Sequence, residues 1–443
     1  MAKISANNAW EKLFDKYDIE KEINDNGFFN ITSEQIKEFK EPRLMAKWDS
    51  SESLPSILKS KKINILPTSR SSYILSNFKL YEELPEYIED VTKMQKVEIR
   101  DFESIDIENI TSEANAINVL MLSPILEDFL GDGENFPTFN GRMGTGEFNF
   151  SVDRISNEPL YIDVKNAQCE IDAGIENDNS VVIIEAKNVI HSDFHVRQLY
   201  YPYRLWSSRV KKPIRLVFSI YFNQIFRLLE YKFNDLNNYS SIELVREKNY
   251  TLQDTNITME DLFKIYKETK VTIDDNMTFY DTPFVQADSF ERIISLIDCL
   301  KEEDMSKVKI ADIMQFDIRQ SDYYFNAGKY LGIFEKYYGE EFDEETSRFN
   351  KIRKIRLTKK GLEISKMNYK PRQIELVKLI LKHKIFHKLF FQTYTTGKLP
   401  EKSDIEYLMR KYNVCEESQI YRRSGSVKSW LKWIFRLPNI IEE

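Results

Sequence analysis

The stretch from Gln168 to Asn188, QCEIDAGIENDNSVVIIEAKN, holds the residues best suited to chemistry: Asp172, Glu185 and Lys187. Val181 to Ile184 is a run of four β-branched residues that predicts a strand, and residues two apart on a strand share a face. Glu185 and Lys187 are therefore expected side by side, and by the same rule Glu170 and Asp172 share a face of the preceding strand. Asp178-Asn179 has the chemistry of a hairpin loop. With that loop, Asp172 falls opposite Glu185 and Glu170 opposite Lys187, so three carboxylates and one ammonium converge. Like charges at close range repel and raise one another's pKa, a cost that a divalent cation removes. Mg²⁺, with Mn²⁺ as a substitute, favours carboxylate and water oxygens, and Asp172 and Glu185 are its expected ligands. Such an ion polarises a phosphoryl oxygen and yields hydroxide near neutral pH. Lys187 is suited to orient that water or to stabilise the extra charge of the transition state. Together these parts describe phosphodiester hydrolysis.

Two other readings of these residues stay open. Asp163-Val164-Lys165, with Asp153 ahead of it, also places an acid two residues before a lysine, although its flanks are less strand-like than VVII. A solvated hairpin edge bearing ordinary charges has the same composition.

The neighbouring segments supply elements to position the cluster. EANAINVLMLSPILEDFL predicts a helix opening at Glu113 and interrupted near Pro124. HSDFHVRQLYYPYRLW predicts a second helix with Arg197 and Gln198 near its start, and KPIRLVFSIYF a further strand. A helix, three strands, a helix and a strand make an α/β core with a mixed sheet flanked by helices. The Pro/Gly-rich stretch from Gly131 to Gly146 is expected to be a flexible loop that can carry Asn140, Arg142 and Thr145 toward a DNA groove.

At 443 residues, with 42% hydrophobic and 30% charged content, the chain is long enough for two or three domains. Cys169, Cys299 and Cys415 have no metal-site spacing and imply no disulfide framework. The N-terminal residues lack the apolar centre of a signal peptide and no apolar run approaches ~20 residues, so a cytoplasmic protein is expected. His383 and His387 stand four apart on a predicted helix without a further ligand to complete a zinc site. The net charge of −8 is unevenly spread. Residues 350–443 hold 22 Lys plus Arg against 9 Asp plus Glu, a local +13, which leaves −21 on the preceding 349 residues. The basic tail is the expected footprint for a phosphate backbone, although a solvated basic helical surface has the same charge.

Phe290 to Leu300, Val308 to Met314 and Arg319 to Tyr330 read as three helices, followed by KIRKIRLTKKGLEI, a strand, a turn and a helix start. Three helices and a basic hairpin resemble a winged helix-turn-helix, with RQSDYYFNAGKY in the recognition position. That resemblance implies DNA contacts from Arg319, Gln320, Tyr323, Asn326 and Lys329, and from Arg356, Lys359 and Lys360 on the wing. Winged helices also serve as protein-docking modules.

Asp172 followed by Glu185-Ala186-Lys187 resembles the PD-(D/E)XK nuclease superfamily, with a departure: Ile171 stands where proline commonly precedes the first acid. The choice of first acid between Glu170 and Asp172 therefore stays open. The resemblance implies an extra acid from the preceding helix, Glu113 or Glu127, and a polar residue from the following helix, Gln198. EPRLMAKWD near the N-terminus, together with EIDAGIE, IIEAKN and QLYYPYRLW, resembles the type II restriction endonucleases of bacterial restriction–modification systems. That family cleaves duplex DNA with Mg²⁺ at a short specific sequence, often as a homodimer, and a cognate methyltransferase acts on the same site. The division expected is 1–100, a helical and mixed segment with Arg43, Lys47 and Arg70 as candidate DNA contacts; 101–285, the nuclease core with Arg142 and Arg197 at its DNA face; and 286–443, the winged helix and a basic helical extension. A modification-dependent or repair nuclease, and a non-catalytic winged-helix DNA-binding protein, are the alternatives.

Overall fold

The computed structural model describes residues 5–86, 91–93, 103–105, 107, 110, 112–131, 133–155, 158–252, 256–343 and 348–439. The domain boundary expected at 100–101 lies outside them. The chain is a mixed α/β protein with a mixed sheet.

The N-terminal unit comprises α1 (Ala6–Tyr17), α2 (Ile19–Asn26), β1 (Phe29–Thr32), α3 (Ser33–Lys37), α4 (Arg43–Ala46), α5 (Ser56–Lys61), β2 (Asn64–Pro67) and β3 (Ser72–Ser76). Thr32 and Gln35 form a reciprocal capping box at the start of α3. Trp10, Leu13, Ile31, Ile36, Met45 and Leu75 are buried in this unit's own core. Next come β4 (Tyr81–Glu83) and β5 (Val91–Lys93), both of which pair with strands of the central unit.

That central unit continues with α6 (Glu113–Leu122), α7 (Ile125–Leu130), β6 (Phe136–Gly144), β7 (Glu147–Val152), β8 (Leu160–Lys165), β9 (Gln168–Glu176), β10 (Val181–Lys187), β11 (Asp193–His195), α8 (Arg197–Ser207), β12 (Ile214–Phe222), β13 (Ile225–Phe233) and β14 (Ile242–Thr251). Its seven-stranded sheet runs β5-β14-β13-β12-β10-β9-β6. The β10–α8–β12 passage is a parallel crossover, while β9 lies antiparallel to both of its neighbours, β10 and β6. One face packs on α6 and α7 through Val182, Ile184, Val119 and Phe129. The other packs on α8 through Ile183, Phe218, Leu199 and Tyr200. Burial on both faces explains why VVII is apolar without alternation.

Residues 131–146 are not the flexible loop expected from their glycines and proline, because most of them form the edge strand β6. Its pairing with β9 shifts register twice, between Pro137 and Phe139 and between Phe139 and Gly141, and these bulges absorb the irregular residues. The Phe139 ring covers Gly174, where a Cβ would meet it at 2.2 Å, and stacks on Trp206 at 3.8 Å.

The C-terminal unit contains α9 (Met259–Glu268), α10 (Phe290–Glu302), β15 (Met305–Ser306), α11 (Lys307–Ile313), α12 (Ile318–Tyr330), β16 (Phe334–Asp343), β17 (Arg348–Leu357), α13 (Lys359–Ser365), α14 (Tyr369–Leu381), α15 (Lys384–Thr396), α16 (Lys402–Tyr412) and α17 (Glu417–Arg436). β15 pairs with β17 and β17 with β16, giving three helices closed by a three-stranded sheet. Gly328 lets α12 approach Phe334, whose ring lies 1.8 Å from where a Cβ would stand. α14 to α17 complete one core with α10 to α13 around Trp430, Phe386 and Tyr330. His383 Nδ1 lies 2.5 Å from Asp275 Oδ1 in a buried pair and its Nε2 donates to the Tyr330 carbonyl at 3.1 Å, while His387 lies against the Tyr266 ring. His383 is thus engaged inside the core and His387 packs at its edge.

Candidate active site

β9 and β10 meet in the register expected from the two-residue loop: Val181 pairs with Glu176, and the last rung joins Ile184 to Ala173. Asn177 N–H donates to Ser180 O at 3.1 Å across Asp178-Asn179. One step beyond the last rung, Glu185 is level with Asp172, and there the strands part. Cys169 and Ile171 pack on the α8 face while Ala173 and Ile175 pack on the α6 face, so the alternation of β9 changes phase at Asp172. The Asp172 Oδ2 accepts the N–H of Ala186 at 2.8 Å, taking the place of a ladder bond.

Glu185 is buried, and its Oε1 accepts from Lys187 Nζ at 2.6 Å and from Gln198 Nε2 at 2.5 Å. Burial pushes the Glu185 carboxyl up to about 8; Lys187 opposes this and Asp172 adds to it. Burial works against the Lys187 ammonium, yet the carboxylates around it, Glu185 first and then Asp49, Glu113 and Asp172, hold its pKa above the ordinary lysine value. Ser112 caps α6 by accepting from Asn115 N–H, which sets Glu113 in the first turn. Burial raises the Glu113 carboxyl, with Lys187 opposing and Asp172 and Asp49 adding. Glu113, half-buried, thus lies within reach of the cluster's charges, whereas Glu127 is exposed.

Glu170 does not join it. The phase change at Asp172 turns Glu170 to the rim, where it is exposed, pairs across the sheet with Arg142 and sits 3.3 Å from Arg142 Nε and 3.8 Å from Lys47 Nζ. Asp172, and not Glu170, is the acid that lies level with Glu185. Asp163 and Lys165 are exposed on β8, in a separate hairpin with β7, away from the seven-stranded sheet. Arg197 is turned inward: its Nε is buried without a partner and its guanidinium lies 5.9 Å from the Tyr201 ring. It is half-buried, and its charge favours the Asp49 carboxylate. Arg142 remains exposed.

Asp49 was not among the residues that spacing pointed to. It lies in the loop after α4, and only the presence of Trp48-Asp49 in the EPRLMAKWD string hinted at it. Burial works against its charged form, but Lys187, Lys47 and Arg197 hold its carboxyl below the ordinary value. Asp49 Oδ1 and Gln198 Oε1 are buried without a hydrogen-bond partner, as is Nδ1 of His191 nearby. Burial, then Lys187 and Arg292, push His191 down to about 3, so its ring is neutral.

The donor set fits a divalent cation of the Mg²⁺ type: hard carboxylate oxygens, with orphaned oxygens beside them. Among the described residues no three His, Cys, Asp or Glu side chains stand in a ligating group. Mg²⁺ is commonly held by one or two carboxylates, with water and substrate phosphate filling its other positions.

In the C-terminal unit Arg319 and Lys329 are exposed on α12, while Gln320, Tyr323 and Asn326 are half-buried. Tyr323 lies 5.3 Å from the Arg422 guanidinium, and Lys329 Nζ is 3.5 Å from Asp281 O. On the hairpin, Arg356 pairs with Glu335 at 2.8 Å; Lys360, at the start of α13, pairs with Glu375 at 2.7 Å. Lys359 is exposed. The basic strand β17 thus faces acidic partners on β16, and its charge is partly cancelled within the hairpin.

Three family models match the chain, each described as a domain of unknown function: DUF6996 over residues 7–75, DUF6997 over 76–251 and DUF7226 over 292–439. No curated protein and no solved structure matches it. Asp172, Glu185, Lys187, Glu113 and Gln198 fall in the second match, and Asp49 in the first.

Proposed function

We propose that the chain is a Mg²⁺-dependent endonuclease of the PD-(D/E)XK type that cleaves duplex DNA at a specific sequence, as type II restriction enzymes do. The observation that carries this reading is the meeting of Asp172, Glu185 and Lys187 where β9 and β10 part, with Gln198 from α8 on Glu185. The succession α6, β6, β9, β10, α8, β12, with β12 parallel to β10, supports it. So does the three-helix, three-stranded arrangement of α10 to β17, which has the element order of a winged helix. Among the described residues no helix is long and apolar enough to cross a membrane.

Asp172 and Glu185 would hold the cation. When bound, it supplies Lewis-acid polarisation of the scissile phosphate and a more acidic water. Lys187, kept charged by its carboxylate neighbours, stabilises the negative charge that develops on the phosphoryl oxygens. Gln198 fixes the Glu185 carboxylate, and Glu113 lends further negative charge to the cation's surroundings. Lys47 and Arg142, exposed beside Glu170 at the rim, would meet the phosphate backbone. Cutting both strands calls for two such centres, hence a homodimer, and a matching methyltransferase would protect the host's own DNA.

The test is incubation of the purified protein with Mg²⁺ and plasmid DNA, followed by sequencing of the ends. Asp172→Asn, Glu185→Gln and Lys187→Met should each lower cleavage by at least about 10²-fold while DNA binding survives. Near-normal cleavage by the Glu185 variant sinks the assignment.

A further inference from the structure

We propose that Asp49 is a further carboxylate of this centre, contributed by the N-terminal unit and contacting the bound cation through water. The inference rests on reading the cluster as a cation-dependent nuclease centre.

The loop that carries Asp49 is pinned on both sides of it. Tyr81 Oη donates to Trp48 O at 3.0 Å, and His195 N–H donates to Asp49 O at 2.9 Å. Asp193 Oδ1 accepts from Ser50 Oγ at 2.7 Å and from Ser51 N–H at 2.9 Å. From the C-terminal unit, Gln315 Oε1 accepts the Asp49 N–H at 3.4 Å, and Arg292 pairs with Glu52 at 2.8 Å. Every one of these bonds uses the backbone or a neighbouring side chain. None engages the Asp49 carboxylate, so the loop holds that group in place without using it.

Asp49 stands beside the cluster: His195, which holds its carbonyl, is three residues ahead of the Gln198 that bonds Glu185, and against the cost of burial Lys187 is the first of the charges that favour its carboxylate. Yet Oδ1 is buried and receives no hydrogen bond. A second, independent orphan stands beside it: Gln198, nine-tenths buried, places Nε2 on Glu185 and leaves Oε1 without a donor. Two buried acceptor oxygens without donors flank one acidic cluster, and buried acceptors are ordinarily satisfied. A hydrated divalent cation satisfies both, since its waters are strong donors and Mg²⁺ keeps several of them.

Full-length protein without DNA, titrated with Mn²⁺ by calorimetry and melted in the absence of metal, tests this. Asp172→Asn should abolish Mn²⁺ binding, and Asp49→Asn should weaken it about tenfold, the scale expected of a group one shell from the ion. Asp49→Glu should restore most of the affinity, and Asp49→Asn should melt no lower than wild type without metal. Wild-type Mn²⁺ affinity in Asp49→Asn, with binding lost in Asp172→Asn, overturns this proposal alone. Wild type that binds no Mn²⁺, or an Asp172→Asn variant that binds it as wild type does, overturns the reading of the centre and this proposal with it. A metal-free Asp49→Asn protein that melts well below wild type assigns Asp49 to folding and overturns the proposal.

Discussion

Gln198 Nε2 donates to Glu185 Oε1 at 2.5 Å, which ties the first turn of α8 to the end of β10. Of the bonds on Glu185, this one comes from outside its own strand, and it sets which way the carboxylate faces. Gln198→Ala leaves the Lys187 pair intact but frees the carboxylate to turn. Cleavage should fall about 10- to 100-fold with DNA affinity unchanged, as measured by single-turnover kinetics beside a binding titration. Unchanged cleavage would show that Lys187 alone orients Glu185.

The pH dependence of stability follows from three buried groups. Glu185 is raised from its ordinary value to about 8, so the folded state holds a proton that the unfolded state has released. Its stabilising contribution is full below about 4.5 and is lost as pH rises through about 8. His191 and His195 are lowered to about 3, mainly by burial, so their contribution is full above about 6.5 and is lost as pH falls. Metal-free protein should melt highest between these limbs. Glu185→Gln should flatten the alkaline limb and His191→Asn the acid one, while identical curves for all three proteins would refute the assignment.

Much of the site was legible because its signals are local. VVIIEAK and the Asp178-Asn179 loop lie within one hairpin, and the register they imply is the one found. The error at Glu170 has a tertiary cause. Phe139 on the bulged β6 settles over Gly174, β9 changes phase at Asp172, and no period-2 pattern within β9 announces that. Asp49 was invisible for another reason: its loop is held by contacts between segments far apart in the chain, with His195 and Gln315 on Asp49 itself and Asp193 on Ser50 and Ser51. The glycines of 131–146 misled because bulges tolerate them as well as loops do.

The rival acid and lysine provide a clean contrast. Asp163 and Lys165 are exposed on the β7–β8 hairpin, so Asp163→Ala and Lys165→Ala should leave cleavage within about twofold of wild type. Loss of cleavage in either variant, with binding retained, would move the chemistry to that hairpin.

Gly174→Ala tests the packing that turns β9. Its Cβ would meet the Phe139 ring at 2.2 Å, and that ring is held against Trp206. Overpacking of this kind costs about 1–3 kcal/mol, visible as a lowered melting temperature. Phe139→Leu in the same chain should recover part of the loss, because the smaller side chain makes room. A Gly174→Ala protein as stable as wild type would mean that β6 shifts freely and does not set the phase of β9.

DNA affinity should discriminate between charges that are already paired and those that are not neutralised at the surface. Lys360 is engaged by Glu375 and Arg356 by Glu335, whereas Arg319 and Lys359 are exposed at the starts of α12 and α13. A cation that neutralises a phosphate releases a counterion, so its removal lowers affinity and flattens the dependence of log K on log salt by about 0.9. Lys359→Ala should show that change on every duplex tested, and Lys360→Ala little of it. Arg319→Ala should in addition alter the ratio of affinities between cleaved and uncleaved sequences if it reaches base edges. Fluorescence anisotropy across a salt series reads all three variants. Equal slopes for the Lys359 and Lys360 variants would remove the start of α13 from the DNA path.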